Sequence, residues 1–196
     1  MRLSGRELRD LLVAWLALGV AFTFFFERGL TRGPPDPAVF ASALALNLVT
    51  VGVAFLGHEL AHKTVAVRFG QRAEFRADFG MLFLAVMGGL VGFIFAAPGA
   101  VHHRGYLTDR QHGLIALAGP VSNLAMAPVF LLAIVVAPEL ALRGVGINLL
   151  LAGFNMIPFG GLDGATVREW STAVFVAAFV PSVLLAVGVL VLGVGF

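Results

Sequence analysis

From Ser171 to Phe196 the chain carries no Asp, Glu, Lys or Arg, and that uncharged run restricts the fold more than any other feature. An apolar stretch of about 18 or more residues reads as a membrane span, because a helix satisfies its own backbone polar groups in lipid. Similar runs recur at Leu11–Phe26, from Ala38 to about Phe69, from Gly113 to about Ala137 and, shorter, from Val145 to about Phe159. Hydrophobic residues make up 59% of the 196 and charged ones 12%, whereas soluble domains are about half apolar. The expectation is an all-α membrane protein with about five transmembrane helices, residues 1–196 forming a single polytopic membrane domain.

Charge and cysteine content exclude several classes of function. Net charge is only +2 and the arginines are spread over short loops, which leaves no nucleic-acid footprint. There is no cysteine, so disulfides and thiol catalysis are excluded. The start "MRLSGRELRD" is basic, like a signal peptide. The apolar stretch after it is long and lacks a small-residue cleavage site, so a retained first helix is expected.

Two segments break the helical pattern. "TRGPPDP", Thr31 to Pro37, reads as a loop. "RAEFRADF", Arg72 to Phe79, alternates apolar with charged residues, which is strand periodicity. The following run, Gly80 to Val101, is long enough to span, but Gly88, Gly89 and Gly92 in its middle suit a bend. Orientation favours a re-entrant segment here. Arg2, Arg6 and Arg9 put the N-terminus in the cytosol, and the second helix then ends inside at Lys63, Arg68, Arg72 and Arg76. Entry and return of residues 80–101 on one side keeps Arg104 and Arg110 cytosolic and brings Asp163 to the face that holds His58.

Chemistry concentrates in "GHELAH". His58 and His62 lie four apart, on one face of a helix, where both imidazoles reach one tetrahedral metal ion. Glu59 beside them can take a proton from water activated at such a metal. A charged side chain at mid-membrane costs about 2.5–3.5 kcal/mol on insertion scales, so three adjacent ionisable groups point to function rather than packing. A catalytic zinc has three protein ligands and an open position. His102, His103 and His112 are possible third ligands, but a solvated loop is their expected home. Asp163, in "NMIPFGGLDG", is the remaining acid beside a span and is framed by turn residues.

With Asn155-x-x-Pro158-x-x-x-Leu162-Asp163-Gly164 downstream and "AGPVSN" (Ala118 to Asn123) between, the chain resembles the site-2 protease family of intramembrane zinc metalloproteases. The three motifs stand in that family's order, over a catalytic core of about residues 40–170. The resemblance implies one zinc ion held by His58, His62 and Asp163, with Glu59 as general base and Asn123 holding substrate or the oxyanion; a helix-packing amide hydrogen bond is the equal alternative for Asn123. Asn155 is expected to be structural, satisfying backbone freed by Pro158. The implied partners are the lipid bilayer and a transmembrane protein substrate. Its unwound segment can pair with the strand at Arg72–Phe79. The other reading of these ligands is a membrane metal transporter or a non-catalytic scaffold. A rival protease class would use a later glutamate, but Glu139 and Glu169 lack a supporting motif.

Overall fold

The computed structural model describes residues 3–27, 36–93 and 98–196. Its elements are α1 (Gly5–Phe26), α2 (Pro37–Arg68), β1 (Arg72–Ala77), α3 (Phe79–Val91), β2 (Gly99–Arg104), α4 (Asp109–Leu131), α5 (Pro138–Asn155), α6 (Asp163–Trp170) and α7 (Thr172–Leu192). Among the described residues, four helices are long and apolar enough to cross a membrane: α1, α2, α4 and α7. The protein is an all-α membrane protein with one small two-stranded sheet.

Polar residues set the helix limits, and several differ from those read in the sequence. α1 begins before Leu11 because Ser4 caps it, accepting from the Glu7 N–H at 3.2 Å. α2 starts on an Asp36 cap with Pro37 in its first turn. α4 opens on a Thr108–Gln111 capping box and runs through Pro120 and Pro128 without ending. The helix expected over Val145–Phe159 starts instead at Pro138 and ends at Asn155. Its first turns are held by Arg143, buried despite its charge, which donates to Asn47 Oδ1 and Glu27 Oε1 at 3.2 and 3.0 Å and lies over the Phe26 ring. Most of the loop expected at Thr31–Pro37 lies outside the described residues.

The segment after β1 leaves and returns at one end of the bundle. Asp78 caps α3, and the helix continues through Gly88 and Gly89 to Gly92, whose left-handed conformation (φ 82°) ends it. At the other end of the excursion, the Asp78 N–H donates to the Pro98 carbonyl at 2.9 Å. A helix of 13 residues is about 20 Å long, too short to span alone. Residues 99–104, expected in part as loop, instead form β2, antiparallel to β1 with Phe75 opposite Val101.

The outer edge of β1 is closed by carboxylates. The Phe75 N–H donates to Glu7 Oε1 at 3.1 Å, and the Ala77 N–H bonds Asp10. These N–H groups therefore point away from β2, which makes Phe75–Val101 and Ala77–Gly99 the non-hydrogen-bonded pairs of the ladder. It follows that Gly99 and Val101 turn their own backbone groups to the free edge of β2. The outward backbone groups of β2 are thus unpaired within the sheet, whereas the outward N–H groups of Phe75 and Ala77 on β1 are taken by carboxylates. Glu7 also accepts from Lys63 Nζ at 2.6 and 2.5 Å, so one buried carboxylate ties α1 to both α2 and β1. Removing one partner of such a pair costs about 3–5 kcal/mol.

This topology places Ser4, Thr108 and Ser171 at the end of the bundle that carries the sheet, and Glu27 and Asp36 at the other. Single cysteines can be introduced without background because the chain has none. An impermeant thiol reagent should modify positions 4, 108 and 171 as a set from one face of the membrane, and position 31 only from the other. Labelling of 108 together with 31 would contradict the re-entrant path.

Candidate metal centre

The centre forms where α2, α4 and α6 meet. His58 and His62, one turn apart on α2, face α4, which meets them with Ile115, Gly119 and Asn123. These are also spaced by four, so the two faces stay in register over two turns. The Ile115 carbonyl accepts from His62 Nδ1 at 2.7 Å, and Asn123 Oδ1 accepts from His58 Nδ1 at 2.7 Å. Gly119 stands between them. A Cβ there would lie 2.5 Å from His58 Nε2 and press on His62 Nε2 as well, so only glycine leaves room for the imidazole edges.

Asp163 arrives from the other side, at the start of α6. The preceding turn uses Gly160 in the left-handed region (φ 60°), and at Gly164 a Cβ would collide with the Met156 carbonyl. That close approach seats α6 on the end of α5 and carries Asp163 Oδ2 to 3.2 Å from His58 Nε2 and 3.4 Å from His62 Nε2.

Proton placement shows what these atoms can hold. Both Nδ1 atoms face oxygen atoms positioned as acceptors, so each carries its proton there, and each neutral ring presents an Nε2 lone pair. The two Nε2 atoms face one another at 2.9 Å. Asp163 Oδ2 points at both and has no hydrogen-bond partner. Three converging lone pairs repel unless a cation lies between them. A tetrahedral zinc with bonds of about 2.0–2.1 Å separates its ligand atoms by about 3.3 Å, and the observed spacings fall around that value. The residues fit one zinc ion. Among the described residues His58, His62 and Asp163 form the one such group.

Glu59 lies against this group and is buried. Its Oε2 has no partner, and it lines the same cavity of about 190 Å³ as the three ligands. Pro98, Gly99, Ala100 and Val101 of the β2 side form another wall. Asn123 is not on that wall: both its amide hydrogens are engaged, by the Ala54 carbonyl at 2.9 Å and Asn148 Oδ1 at 3.0 Å. Asn155, expected to be structural, donates to the Leu151 carbonyl at 3.0 Å but also lines the cavity. His112 lines the cavity too, from the first turn of α4, and His102 is exposed on β2. Gly119 stood in the motif read as "AGPVSN" but without a role; sequence reasoning missed the Ile115 carbonyl, for which the four-residue spacing from Ile115 to Asn123 was the signal available, and Asn148.

Fold and site together define a multi-pass helical membrane protein with a His–His–Asp zinc centre and an adjacent buried carboxylate. The relatives agree. The chain is 38% identical over 188 residues, 92% of each chain, to a Methanocaldococcus jannaschii protein named "Putative zinc metalloprotease MJ0611". It is 31% identical over 156 residues, 65% of this chain and 69% of the other, to "Putative zinc metalloprotease YwhC" of Bacillus subtilis. No protein-family model matches, and no solved structure does. The chain belongs to the zinc metalloprotease family of these relatives.

Replacing His58, His62 or Asp163 by Ala should each weaken zinc binding by more than about 100-fold, beyond what changes to groups behind the ligands cost. Gly119→Ala should do the same by crowding both imidazoles. Replacing His102, His103 and His112 together should leave zinc content unchanged. Metal analysis of the purified variants checks all of these, and full occupancy in Asp163→Ala would move the third ligand elsewhere.

Proposed function

We propose that the chain is an intramembrane protease of the site-2 type, which hydrolyses peptide bonds in transmembrane segments of protein substrates near the cytosolic side of the cell membrane. The observation that carries this reading is Glu59: a buried, partly unpartnered carboxylate on the wall of the cavity that holds the three ligands. A metal transporter or a metal-holding scaffold has no use for a second carboxylate at the site that does not ligate. A hydrolase needs one.

A zinc ion held by His58, His62 and Asp163 supplies Lewis acidity, which polarises a carbonyl and acidifies water. Glu59 accepts the proton of the attacking water and passes it to the amine nitrogen as the C–N bond breaks. The flanking histidines keep their Nδ1 protons throughout, held by Asn123 and Ile115. Asn155 is the cavity-lining amide available to a developing oxyanion, in place of the engaged Asn123.

A helical substrate shields its peptide bonds, so the segment to be cut must unwind and regain hydrogen bonds elsewhere. The free edge of β2 offers them: Gly99 and Val101 turn backbone N–H and C=O groups outward, on the strand that walls the cavity. Arg68, Arg72 and Arg76, outside the buried Lys63–Glu7 pair, favour a cytosolic position for this end of the bundle.

Glu59→Gln should retain zinc and fold while losing about 100-fold or more in cleavage, the lower end of general-base contributions. Undiminished cleavage by the purified variant would refute the mechanism, and zinc loss would recast Glu59 as a ligand. The substrate edge has a separate check. Val101→Pro removes an outward N–H from an edge strand, where proline is tolerated. It should lower cleavage about fivefold to tenfold, roughly the worth of one hydrogen bond, with zinc content unchanged. Ala100→Pro, whose N–H faces β1, should instead disrupt the sheet. Equal cleavage by Val101→Pro and wild type would remove β2 as the docking edge.

A further inference from the structure

The proton on His58 is placed by a relay of two amides that reaches into a helix carrying no ligand. Asn123 and Asn148 are fully buried. Asn148 Nδ2 donates to the Gly144 carbonyl of its own helix at 2.8 Å, and that bond turns its Oδ1 outward. This oxygen accepts one hydrogen of Asn123 Nδ2 at 3.0 Å, and the Ala54 carbonyl accepts the other at 2.9 Å. Both donors of Asn123 thus lie on one side, and its Oδ1 must face His58 Nδ1, at 2.7 Å.

We infer that Asn148, on α5 and in contact with no ligand, is a positioning residue that sets the zinc-competent tautomer of His58 through Asn123. Amide oxygen and nitrogen have the same shape, so packing alone does not choose between the two orientations of Asn123. Its neighbours choose. In the reversed orientation the Asn123 NH2 would confront His58 Nδ1, which would then have to accept. The imidazole proton would move to Nε2 and close the nitrogen that faces the metal position. His62 needs no such relay, because a backbone carbonyl cannot turn round. This asymmetry between the two histidines is what the inference predicts. It rests on the zinc centre and is independent of whether the bound metal hydrolyses peptides.

The test uses the full-length protein with 15N-labelled histidine, in detergent, at a pH where the imidazoles are neutral. Two quantities are read: the tautomer of each imidazole in metal-free protein, by 15N chemical shift, and zinc affinity, by competition with a chelator. Wild type gives the reference shift of each imidazole. Asn148→Leu removes one of the two acceptors that orient Asn123. It should move His58, and not His62, toward the Nε2–H form and weaken zinc binding about tenfold, the lower range for a changed partner behind a ligand. Asn148→Asp keeps an acceptor toward Asn123, and should keep the wild-type tautomer and affinity. A folded Asn148→Leu protein with unchanged His58 shifts and unchanged zinc affinity would overturn the inference. If that variant does not fold, Asn148→Ala is read in its place by the same two quantities, with the same result overturning the inference.

Discussion

Two imidazole nitrogens and one carboxylate oxygen point at each other inside an apolar helical bundle, and a cation is what reconciles them. The rest of the structure can be read from that constraint. The nitrogens converge because their opposite edges are fixed, one by the Ile115 carbonyl and one by Asn123. The edges are fixed because α4 repeats its small or polar contacts every four residues, in step with the histidines. Gly119 lies at the middle of that repeat, where any side chain would fill the metal position. Asp163 closes the group only because Gly164 lets the short helix α6 approach the end of α5. Each piece of backbone geometry near the site answers the same electrostatic demand.

A second set of polar groups holds the surrounding frame by the same rule: what is buried must be paired. Glu7 accepts from Lys63 and from the Phe75 backbone, joining the first helix to the metal-bearing helix and to the sheet. Because Lys63 directly follows His62, the strand position and the ligand position are coupled through a single carboxylate. At the other end of the bundle Arg143 joins α5 to Asn47 of α2 and to Glu27 just beyond α1. The two clusters fix both ends of the ligand-bearing helix, and leave the free strand edge at the cavity. That division holds the metal site rigid between two fixed points, as a preorganised centre requires.

How much of this was legible in the sequence follows from the range of each interaction. His58, Glu59 and His62 are legible because a helix converts a spacing of four into a shared face, with no tertiary information. The strand at Arg72–Ala77 was visible through its alternation. Its partner was not, since "GAVHHR" has no such pattern and becomes a strand only by pairing with β1. Arg143 looked like a loop residue because its counter-charge lies more than a hundred positions away in the chain. Gly88 and Gly89 suggested a bend, yet the helix continues to Gly92. Asn123 was found by its motif, with a substrate role and a helix-packing role both open; its bonds to the Ala54 carbonyl and to Asn148 Oδ1 reach residues that no local pattern marks.

The central claim is that this metal centre cuts peptide bonds within the membrane. Purified protein reconstituted in liposomes with a transmembrane substrate, with the cut mapped by mass spectrometry before and after zinc removal, tests it most directly. The account predicts a cut inside the apolar segment of the substrate, toward the end where this protein carries its sheet, lost on chelation and restored by zinc. Cleavage confined to segments outside the bilayer, or cleavage indifferent to zinc, would contradict it.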